Sequence, residues 1–214
     1  MFTLTMEFDD TFEYDGRSFS VRLAFDNVLL LLELLQDNDF NYAEKIDISL
    51  ELMINEYKAI QNESIEVKFN LFKFILKEFL EIDLEQPAEE NPPAANQPAA
   101  STPKKTYCFT QDAGIIYASF FRSYQIDLFE VRGKLHWKKF LQLLLHMDDK
   151  SKFKEVINIR TMKVPKPTKY NAEYRKDIQK MKRIYALEDT RTEQEKLQEM
   201  NAKLNALAEH LKKQ

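Results

Sequence analysis

The sequence predicts a mainly α-helical protein with a small N-terminal antiparallel β-hairpin or three-stranded element. Two patterns of apolar residues carry this prediction. Over most of the 214-residue chain, apolar side chains recur every three or four positions, which is the spacing of one helix face. Only the N-terminal segment alternates apolar with polar side chains, as half-buried strands do.

The N-terminal strands are predicted from this alternation and from one turn. Residues 2–8 alternate throughout, and Asp15-Gly16 separates two further alternating segments, residues 12–14 and 19–23. An Asp-Gly pair between such segments is typical of a two-residue hairpin turn. A sheet of two or three strands needs a covering element, and a helix starting near Asp26, with Asp26 as its N-cap, supplies one.

A second helix is predicted over residues 42–57 and a third over residues 64–82. The start of the third is ambiguous with a strand, because residues 65–71 alternate, but its length favours a helix. Its apolar surface is unusually wide and includes Phe69, Leu71, Phe72, Phe74, Ile75, Leu76, Phe79 and Leu80. Core packing is the first explanation of that surface. The alternative is that part of it meets another chain, since a small sheet and two helices are too small to cover it.

A proline-rich segment divides the chain into two parts of different character. Residues 85–106 hold five of the seven prolines and no aromatic residue, so they are predicted to form a flexible linker or loop. Residues 1–84 then form an acidic module of hairpin and helices, residues 107–187 a basic helical module, and residues 188–214 a charged tail helix. The segment is either a domain boundary or a loop inserted into one helical domain. The loop is favoured because neither part looks self-sufficient.

After the linker, a helix is predicted over residues 112–124, followed by a turn at Gly133. The next helix carries an apolar stripe at helical spacing, made by Trp137, Phe140, Leu141, Leu144 and Leu145. Such a continuous face has few alternatives to burial. Trp137, Phe140 and Leu144 are therefore predicted to be structural anchors of the core.

Two further amphipathic helices are predicted before residue 187. Asp148 and Asp149 suit the start of the first, because negative charge is stabilised at the positive end of a helix dipole. Its apolar stripe is Phe153, Val156 and Ile157. Pro165 and Pro167 end it, since proline lacks the amide proton that a helix needs.

The last of these helices is predicted to contact a partner. Its stripe consists of Tyr174, Ile178, Met181 and Tyr185, with Arg175, Lys176, Lys180 and Lys182 around it. Tyrosine and arginine are favoured at the energetic centres of protein interfaces. The predicted partner-binding residues are Tyr174, Arg175, Ile178, Lys182 and Tyr185.

The C-terminal residues carry a weak coiled-coil pattern. Thr192 and Glu195 fit a capping box, which opens a helix. Apolar residues then follow at alternating spacings of three and four: Leu197, Met200, Leu204, Leu207 and Leu211. Two heptads are marginal for a free coiled coil, so this pattern predicts a frayed tail helix or a helix that needs a partner.

The net charge of −4 conceals a strong asymmetry. Residues 1–90 carry 7 basic and 21 acidic side chains, a net −14, whereas residues 132–214 carry 21 basic and 11 acidic ones, a net +10. The simplest interpretation is two solvated surfaces of opposite sign. The sharper one is that one half docks on the other, within a chain or between copies. Head-to-tail contacts between copies build rings or open spirals.

No catalytic, cofactor or metal site is predicted. The chain has only three glycines, so it lacks a Gly-rich phosphate loop, and it has no cysteine cluster for zinc. His136 and His146 lie ten residues apart, which is not the spacing of a helical metal pair. The single cysteine, Cys108, fits a reducing cytoplasm. The N-terminus does not read as a signal peptide, and no apolar run is long enough to span a bilayer.

Three segments in the second half resemble a known family. They read LHWKKFLQLL, FKEVINIRTMKVPK and EYRKDIQKMKRIYAL, and they occur in this order between residues 135 and 187. They are similar to the second tail assembly chaperone of siphophages and prophages of Gram-positive bacteria, the gene-product-fifteen family. The resemblance implies a non-enzymatic role in tail morphogenesis, in the cytoplasm of the infected or lysogenic host. The partners it implies are the tape-measure protein, the other tail assembly chaperone and the tail tube protein. Further copies of this chain are expected as partners from the charge asymmetry, and no membrane is expected because no apolar run is long enough.

The alternative from another class is a nucleic-acid-binding phage accessory protein. The basic side chains of residues 163–183 could neutralise phosphates, and Tyr170 and Tyr174 could stack on bases. Against this, the apolar stripe of the last helix already uses Tyr174, and the whole chain is acidic. A partner protein is therefore favoured over nucleic acid.

Overall fold

The computed structural model describes residues 3–82 and 106–188, and within these residues the protein is mainly α-helical. A two-stranded hairpin, β1 and β2, precedes the helices α1 to α7, and a short 3-10 helix lies between α2 and α3. In chain order the bounds are Thr11–Tyr14, Arg17–Ser20, Phe25–Gln36, Tyr42–Met53, Tyr57–Ala59 (the 3-10 helix), Ile65–Leu80, Ala113–Tyr124, Trp137–Leu145, Lys152–Thr161 and Ala172–Ile184. The mainly helical prediction is confirmed.

The described residues separate into two compact units. The first unit contains residues 3–82 and 133–138, and the second contains residues 106–132 and 139–188. Helix α5 therefore begins in the first unit and continues in the second. None of the described helices is long and apolar enough to cross a bilayer. The predicted linker and tail helix lie outside the described residues, except for residues 106 and 188, and their structure stays a prediction.

The hairpin forms at the predicted turn. Asp15 and Gly16 have φ angles of +49° and +69°, the pair of positive values that a two-residue turn of the type I′ class requires. β1 and β2 pair antiparallel, with Phe12 opposite Phe19.

Of the two predicted alternatives, a hairpin or a three-stranded element, the described residues form the hairpin, and the strand signal of residues 2–8 does not lead to a third strand. The sheet of the described residues consists of β1 and β2, and residues 3–10 form a turn and an irregular lead, in which the Met6 N–H donates to the Thr3 carbonyl at 3.2 Å. The alternation does not produce a strand because these residues find no ladder partner. Phe8 instead stacks on the ring of His136, with centroids 4.0 Å apart.

Helix α1 begins one residue earlier than predicted, and its N-cap is not Asp26. Ala24 holds that position without a side-chain cap, because an isolated β-bridge to His136 keeps its backbone extended. The Asp26 carboxylate accepts the Gly133 N–H at 2.9 Å instead. The segment 133–138 is thereby tied to α1, and Phe25 N–H donates to the Leu135 carbonyl at 2.9 Å.

Helix α2 ends four residues before the predicted end. It starts with a capping box in which Asn41 and Glu44 each satisfy the other's backbone N–H. It stops at Met53 because Ile54 pairs with Val21 in a second isolated bridge, and Tyr57 opens the 3-10 helix. Helix α3 is a helix from its first turn, with Ser64 as N-cap, so the ambiguity with a strand is resolved.

The core of the first unit is formed where α1 packs on α2 and α2 on α3. Trp137 joins this unit, and its backbone N–H donates to the Leu23 carbonyl at 2.7 Å. The buried apolar side chains of the hairpin, the three helices and the residues between them include Phe19, Val21, Leu23, Phe25, Val28, Leu31, Leu32, Leu35, Ile46, Leu50, Met53, Ile54, Ile60, Phe69, Leu71, Phe72, Ile75, Leu76, Phe79 and Leu80.

The second unit has its own core, in which α6 packs against both α4 and α7. Phe120 of α4 stacks on Phe140 of α5 with ring centroids 5.1 Å apart, and Leu144 is fully buried. The stripe that begins at Trp137 thus serves two units, with Trp137 in the first and Phe140 and Leu144 in the second.

The start of α6 differs from the prediction in one detail. Ser151, not Asp148 or Asp149, is the N-cap and accepts the Lys154 N–H at 3.3 Å. Asp148 closes the preceding turn, where it accepts the Lys150 N–H at 2.8 Å. Serine and aspartate both favour this role, so local sequence alone does not choose between them.

Candidate partner-binding surfaces

An aromatic cleft opens on the first unit beside the start of β1. Its volume is about 260 Å³, enough for one or two large side chains. The cleft is lined by Met6, Phe8, Asp9, Asp10, Thr11, Phe12, Leu23, Phe74, Glu78, Phe79 and Lys138. The irregular lead before β1 thus forms one wall together with the start of β1, and the C-terminal half of α3 forms another.

Three phenylalanine rings form the apolar part of the aromatic cleft. The centroid of Phe12 lies 5.4 Å from that of Phe74 and 6.2 Å from that of Phe79, and Phe74 and Phe79 meet edge to face at 6.1 Å. Phe79 is buried, whereas Phe74 is 41% exposed. The wide apolar surface of α3 is therefore left partly uncovered at Phe74.

Carboxylates surround these rings. Asp9 accepts hydrogen bonds from the Thr11 hydroxyl at 2.6 Å and the Thr11 N–H at 3.1 Å, which lower the pKa of Asp9 and keep it charged. Asp10 lies 3.3 Å from the His136 ring, and Glu78 stands on the same rim. Lys138 is paired with Glu81 at 3.4 Å. The rim is thus predominantly acidic and suits an apolar side chain flanked by basic residues.

The partner-binding residues predicted on α7 mostly make contacts within the second unit. Ile178 is buried, and the Arg175 guanidinium donates to the Pro165 carbonyl. The Lys182 ammonium donates to the Arg160 carbonyl at 2.6 Å. The Tyr185 ring lies under the Lys152 ammonium, 5.2 Å from ring centroid to nitrogen. Tyr174, at 59% exposed, is the member of the set that presents most of its side chain to solvent.

Arg160 holds α7 in place from α6. Its guanidinium makes a two-pronged ion pair with Asp112, with N–O distances of 2.6 and 2.7 Å, and both side chains are buried. It also donates to the carbonyls of Thr106 at 2.9 Å and Tyr185 at 2.6 Å. The end of α7 and the start of α4 therefore meet at one charged group, which no sequence pattern indicated.

A second exposed aromatic surface lies on α4 and the turn that follows it, and is called here the α4 aromatic patch, consisting of Tyr117, Phe121 and Phe129. The Tyr117 ring lies 6.5 Å from Phe121 and 5.3 Å from Phe129. Asp127 organises the patch, because it accepts the Tyr117 hydroxyl at 3.2 Å and the Phe129 N–H at 2.8 Å. Burial and this hydrogen bond raise the pKa of Tyr117.

Among the described residues, no group of three or more His, Cys, Asp or Glu side chains is arranged to hold a metal ion. Cys108 is half-buried beside Asp112, which accepts its backbone N–H at 2.9 Å. His136 is used in stacking on Phe8, and His146 is exposed just after α5.

The aromatic cleft was only half visible in the sequence. The excess apolar width of α3 indicated that part of it could remain uncovered, and Phe74 is where this happens. The other wall comes from residues 6–12, more than sixty positions away, and its position depends on the failure of that segment to become a strand. The alternating pattern of those residues pointed to a different outcome.

The comparison with known families identifies the chain. Residues 6–187 match the family described as Bacteriophage Gp15 protein, so the chain belongs to that family. The match includes both described units and all seven helices among the described residues. Membership indicates a bacteriophage protein with a structural or assembly-related role. No curated protein and no solved structure shows a significant match.

Proposed function

We propose that this protein is a tail assembly chaperone that binds the tape-measure protein during tail morphogenesis. Family membership and the sequence resemblance support this class of protein. A tape-measure protein is a very long helical chain, and its apolar faces need cover until the tail tube closes around it. A chaperone for such a chain needs an apolar recess with charged edges, which is how a groove receives one face of a helix.

The aromatic cleft is the observation that carries this proposal. Its phenylalanine floor suits one or two apolar side chains of a helix, and its rim of Asp9, Asp10 and Glu78 suits lysine or arginine a turn away. Aromatic side chains in a recess supply large contact area with few rotatable bonds. The expected target within the tape measure is therefore an amphipathic segment with basic residues beside its apolar face.

A pull-down with matched variants tests the cleft. Phe74→Glu places a charge in the cleft, whereas Phe40→Glu changes a phenylalanine of nearly equal exposure, 40% against 41%, elsewhere in the first unit. We expect Phe74→Glu to weaken capture of co-expressed tape-measure protein at least about tenfold, as loss of an interface centre does, and Phe40→Glu to leave it unchanged. Far-UV circular dichroism checks that both variants fold. Equal capture by both folded variants would refute the role of the cleft.

The α7 surface is a second contact for the same partner in this proposal. Tyr170 and Tyr174 are exposed there among lysines, and Tyr174→Ala leaves the contacts of Arg175 and Lys182 intact. We expect Tyr174→Ala to weaken capture of the tape measure with no change in thermal midpoint. The same exposed tyrosines and lysines are what a nucleic-acid-binding role would use. Salt-sensitive retention on DNA, together with no capture of the tape measure, would favour that alternative.

A further inference from the structure

The loop between α6 and α7 is held in one shape by nearby side chains. Residues 163–171 form this segment, which is called here the basic loop. The Asn171 side chain accepts the Thr168 N–H at 2.8 Å and donates to the Lys166 carbonyl at 2.9 Å. The Arg175 guanidinium donates to a further carbonyl of the loop. A loop that is ordered in advance loses little conformational entropy when it binds a partner.

The basic loop presents one aromatic side chain among ammonium groups. Tyr170 is 91% exposed, so core packing does not account for the position of its ring. The loop also carries Lys163, Lys166 and Lys169, all exposed, and no acidic residue. Tyrosine is favoured at the centres of interfaces, because it covers a large area with few rotatable bonds. The loop therefore has the chemistry of a ligand for an apolar recess with an acidic rim.

The aromatic cleft of the first unit has the complementary chemistry. Its phenylalanine floor and its volume of about 260 Å³ accommodate one tyrosine ring. The rim carries the carboxylates of Asp9, Asp10 and Glu78, and the Lys138 ammonium is already paired with Glu81. These three carboxylates match the three lysines of the basic loop in number and are opposite in charge. Aromatic-lined grooves also bind segments that contain prolines, as this loop does.

We propose that the basic loop of one copy of this chain docks in the aromatic cleft of a second copy. The Tyr170 ring enters the cleft beside Phe12 and Phe74, and Lys166 and Lys169 face the rim carboxylates. Each copy keeps a cleft or a loop for a further neighbour, so the contact is head-to-tail. It requires no tape-measure chain and does not rest on the proposed function. Because both use the aromatic cleft, a tape-measure segment bound there would displace the neighbouring copy.

Disulfide trapping between two variants of the full-length protein tests this contact. In a Cys108→Ser background, one variant carries Lys169→Cys and the other Glu78→Cys, so each chain has one cysteine and every disulfide joins two chains. The two variants are mixed and oxidised in about 20 mM salt. We expect the mixed disulfide, identified by mass spectrometry of proteolytic fragments, to form at least about tenfold faster than between Lys150→Cys and Glu78→Cys. Lys150 is the matched control, because it is also an exposed lysine of the second unit.

The tyrosine and the salt dependence separate docking from random collision. Adding Tyr170→Ala to the Lys169→Cys variant should reduce trapping to the control rate, and about 500 mM salt should also slow it, because salt screens the lysines and carboxylates. Far-UV circular dichroism checks folding, and Lys166→Cys replaces Lys169→Cys if the latter does not fold. Equal trapping in the test and control pairs at low salt would overturn the proposal, and so would a rate that Tyr170→Ala does not change.

Placing both cysteines in one chain distinguishes a second copy from the same copy. A chain with Lys169→Cys and Glu78→Cys should give disulfide-linked multimers whose yield rises with protein concentration. A disulfide within one chain, formed at a rate independent of concentration, would overturn the assignment to a second copy. None of these measurements includes the tape-measure protein. Their failure would therefore leave the pull-down result for Phe74→Glu standing, and a failed pull-down would leave these results standing.

Discussion

Single charged side chains inside the first unit are satisfied by specific partners. The Lys68 ammonium is buried, donates to Asp47 and to the Gln61 carbonyl, and lies 5.7 Å from the centroid of the Tyr57 ring. The Tyr57 hydroxyl donates to the same Asp47 oxygen at 2.6 Å. Lys45, also buried, donates to the Leu35 carbonyl at 2.9 Å. A buried ammonium is tolerated only when such groups replace its hydration.

Asp47 should make the free energy of unfolding depend on pH in the acidic range. Burial raises its pKa, but hydrogen bonds from Lys68 and Tyr57 and the charge of Lys68 together lower it below the ordinary 3.8. A lowered pKa stabilises the fold above that value, and this contribution is lost as the pH falls through the folded-state pKa. Asp47→Asn should therefore lower the free energy of unfolding by about 1 kcal/mol at pH 7, because Lys68 loses its carboxylate but keeps the Gln61 carbonyl, and because solvent screens the Asp47 side chain, which is 44% exposed.

Urea unfolding at pH 7 and pH 3 checks this prediction. The difference between Asp47→Asn and the natural protein should shrink toward zero as the pH falls below the value at which Asp47 is charged. Glu63→Gln, on the exposed turn before α3, is the control and should have little effect at either pH. A difference that stays constant with pH would contradict the assignment.

Trp137 is another residue of the first unit whose replacement should lower the free energy of unfolding. It is 7% exposed and enters the first unit from a segment far away in the sequence. Trp137→Ala should lower the free energy of unfolding by about 3–5 kcal/mol, the range for a large buried aromatic side chain. Tyr170→Ala, at 91% exposed, is the matched control, and we expect it to unfold at the same urea concentration as the natural protein. If both variants unfold alike, Trp137 is not an anchor.

Helices in this protein are positioned by groups outside their own apolar stripes. α1 starts and α2 stops where isolated bridges fix the neighbouring backbone, from Ala24 to His136 and from Val21 to Ile54. α7 has one fully buried apolar residue, Ile178, and depends on the side chain of Arg160 for the position of its C-terminal end. The attachment of α7 therefore depends on polar contacts as well as on its apolar stripe, which alone was used to predict the helix.

Removing Arg160 should release α7 and destabilise the second unit. Arg160→Ala leaves the buried Asp112 carboxylate without its ion pair, a change that costs about 3–5 kcal/mol. Arg160→Lys should restore only part of this, because an ammonium does not reproduce the two parallel hydrogen bonds of the guanidinium. Hydrogen exchange should accelerate most in residues 172–185. Arg183→Ala, on the exposed side of α7, is the control, and equal exchange in the two variants would refute the role of Arg160.

Across the whole molecule, the charge asymmetry persists in the two units. The described residues of the first unit carry 9 basic and 17 acidic side chains, a net −8, and those of the second carry 15 and 9, a net +6. Separating the chain at the proline-rich segment would not test attraction between the halves, because residues 133–138 complete the first unit. The full-length chain is the proper sample.

We expect copies of the full-length chain to associate at low salt through these opposite charges. Sedimentation should give a mass above the 25.4 kDa of one chain in about 20 mM salt and approach that mass in about 500 mM salt, because added salt screens charges on the surface. Lys176→Glu with Lys180→Glu should weaken association, and the corresponding glutamine pair should weaken it less. A mass of one chain under all conditions would exclude head-to-tail assembly.

The sequence by itself determined the mainly helical class, the hairpin turn and the positions of most helices. These features depend on local chemistry, since helical periodicity and an Asp-Gly turn act over a few neighbouring residues. The predicted anchors Phe140 and Leu144 are buried for the same reason, because the helical spacing of apolar residues places both on the face of α5 that avoids water.

Only the tertiary structure decided which apolar and polar groups stayed available to a partner. The aromatic cleft requires residues 6–12 to lie beside residues 74–79. On α7, Arg175 and Lys182 donate hydrogen bonds to carbonyls of other segments, and Ile178 is buried. Asp26 lost its role as a cap to an extended Ala24 that pairs with His136. A local pattern shows which structure a residue prefers, but contacts between distant segments decide which structure it adopts. The reason is that a hydrogen-bonding group or an apolar face that is engaged in one contact is not available for another.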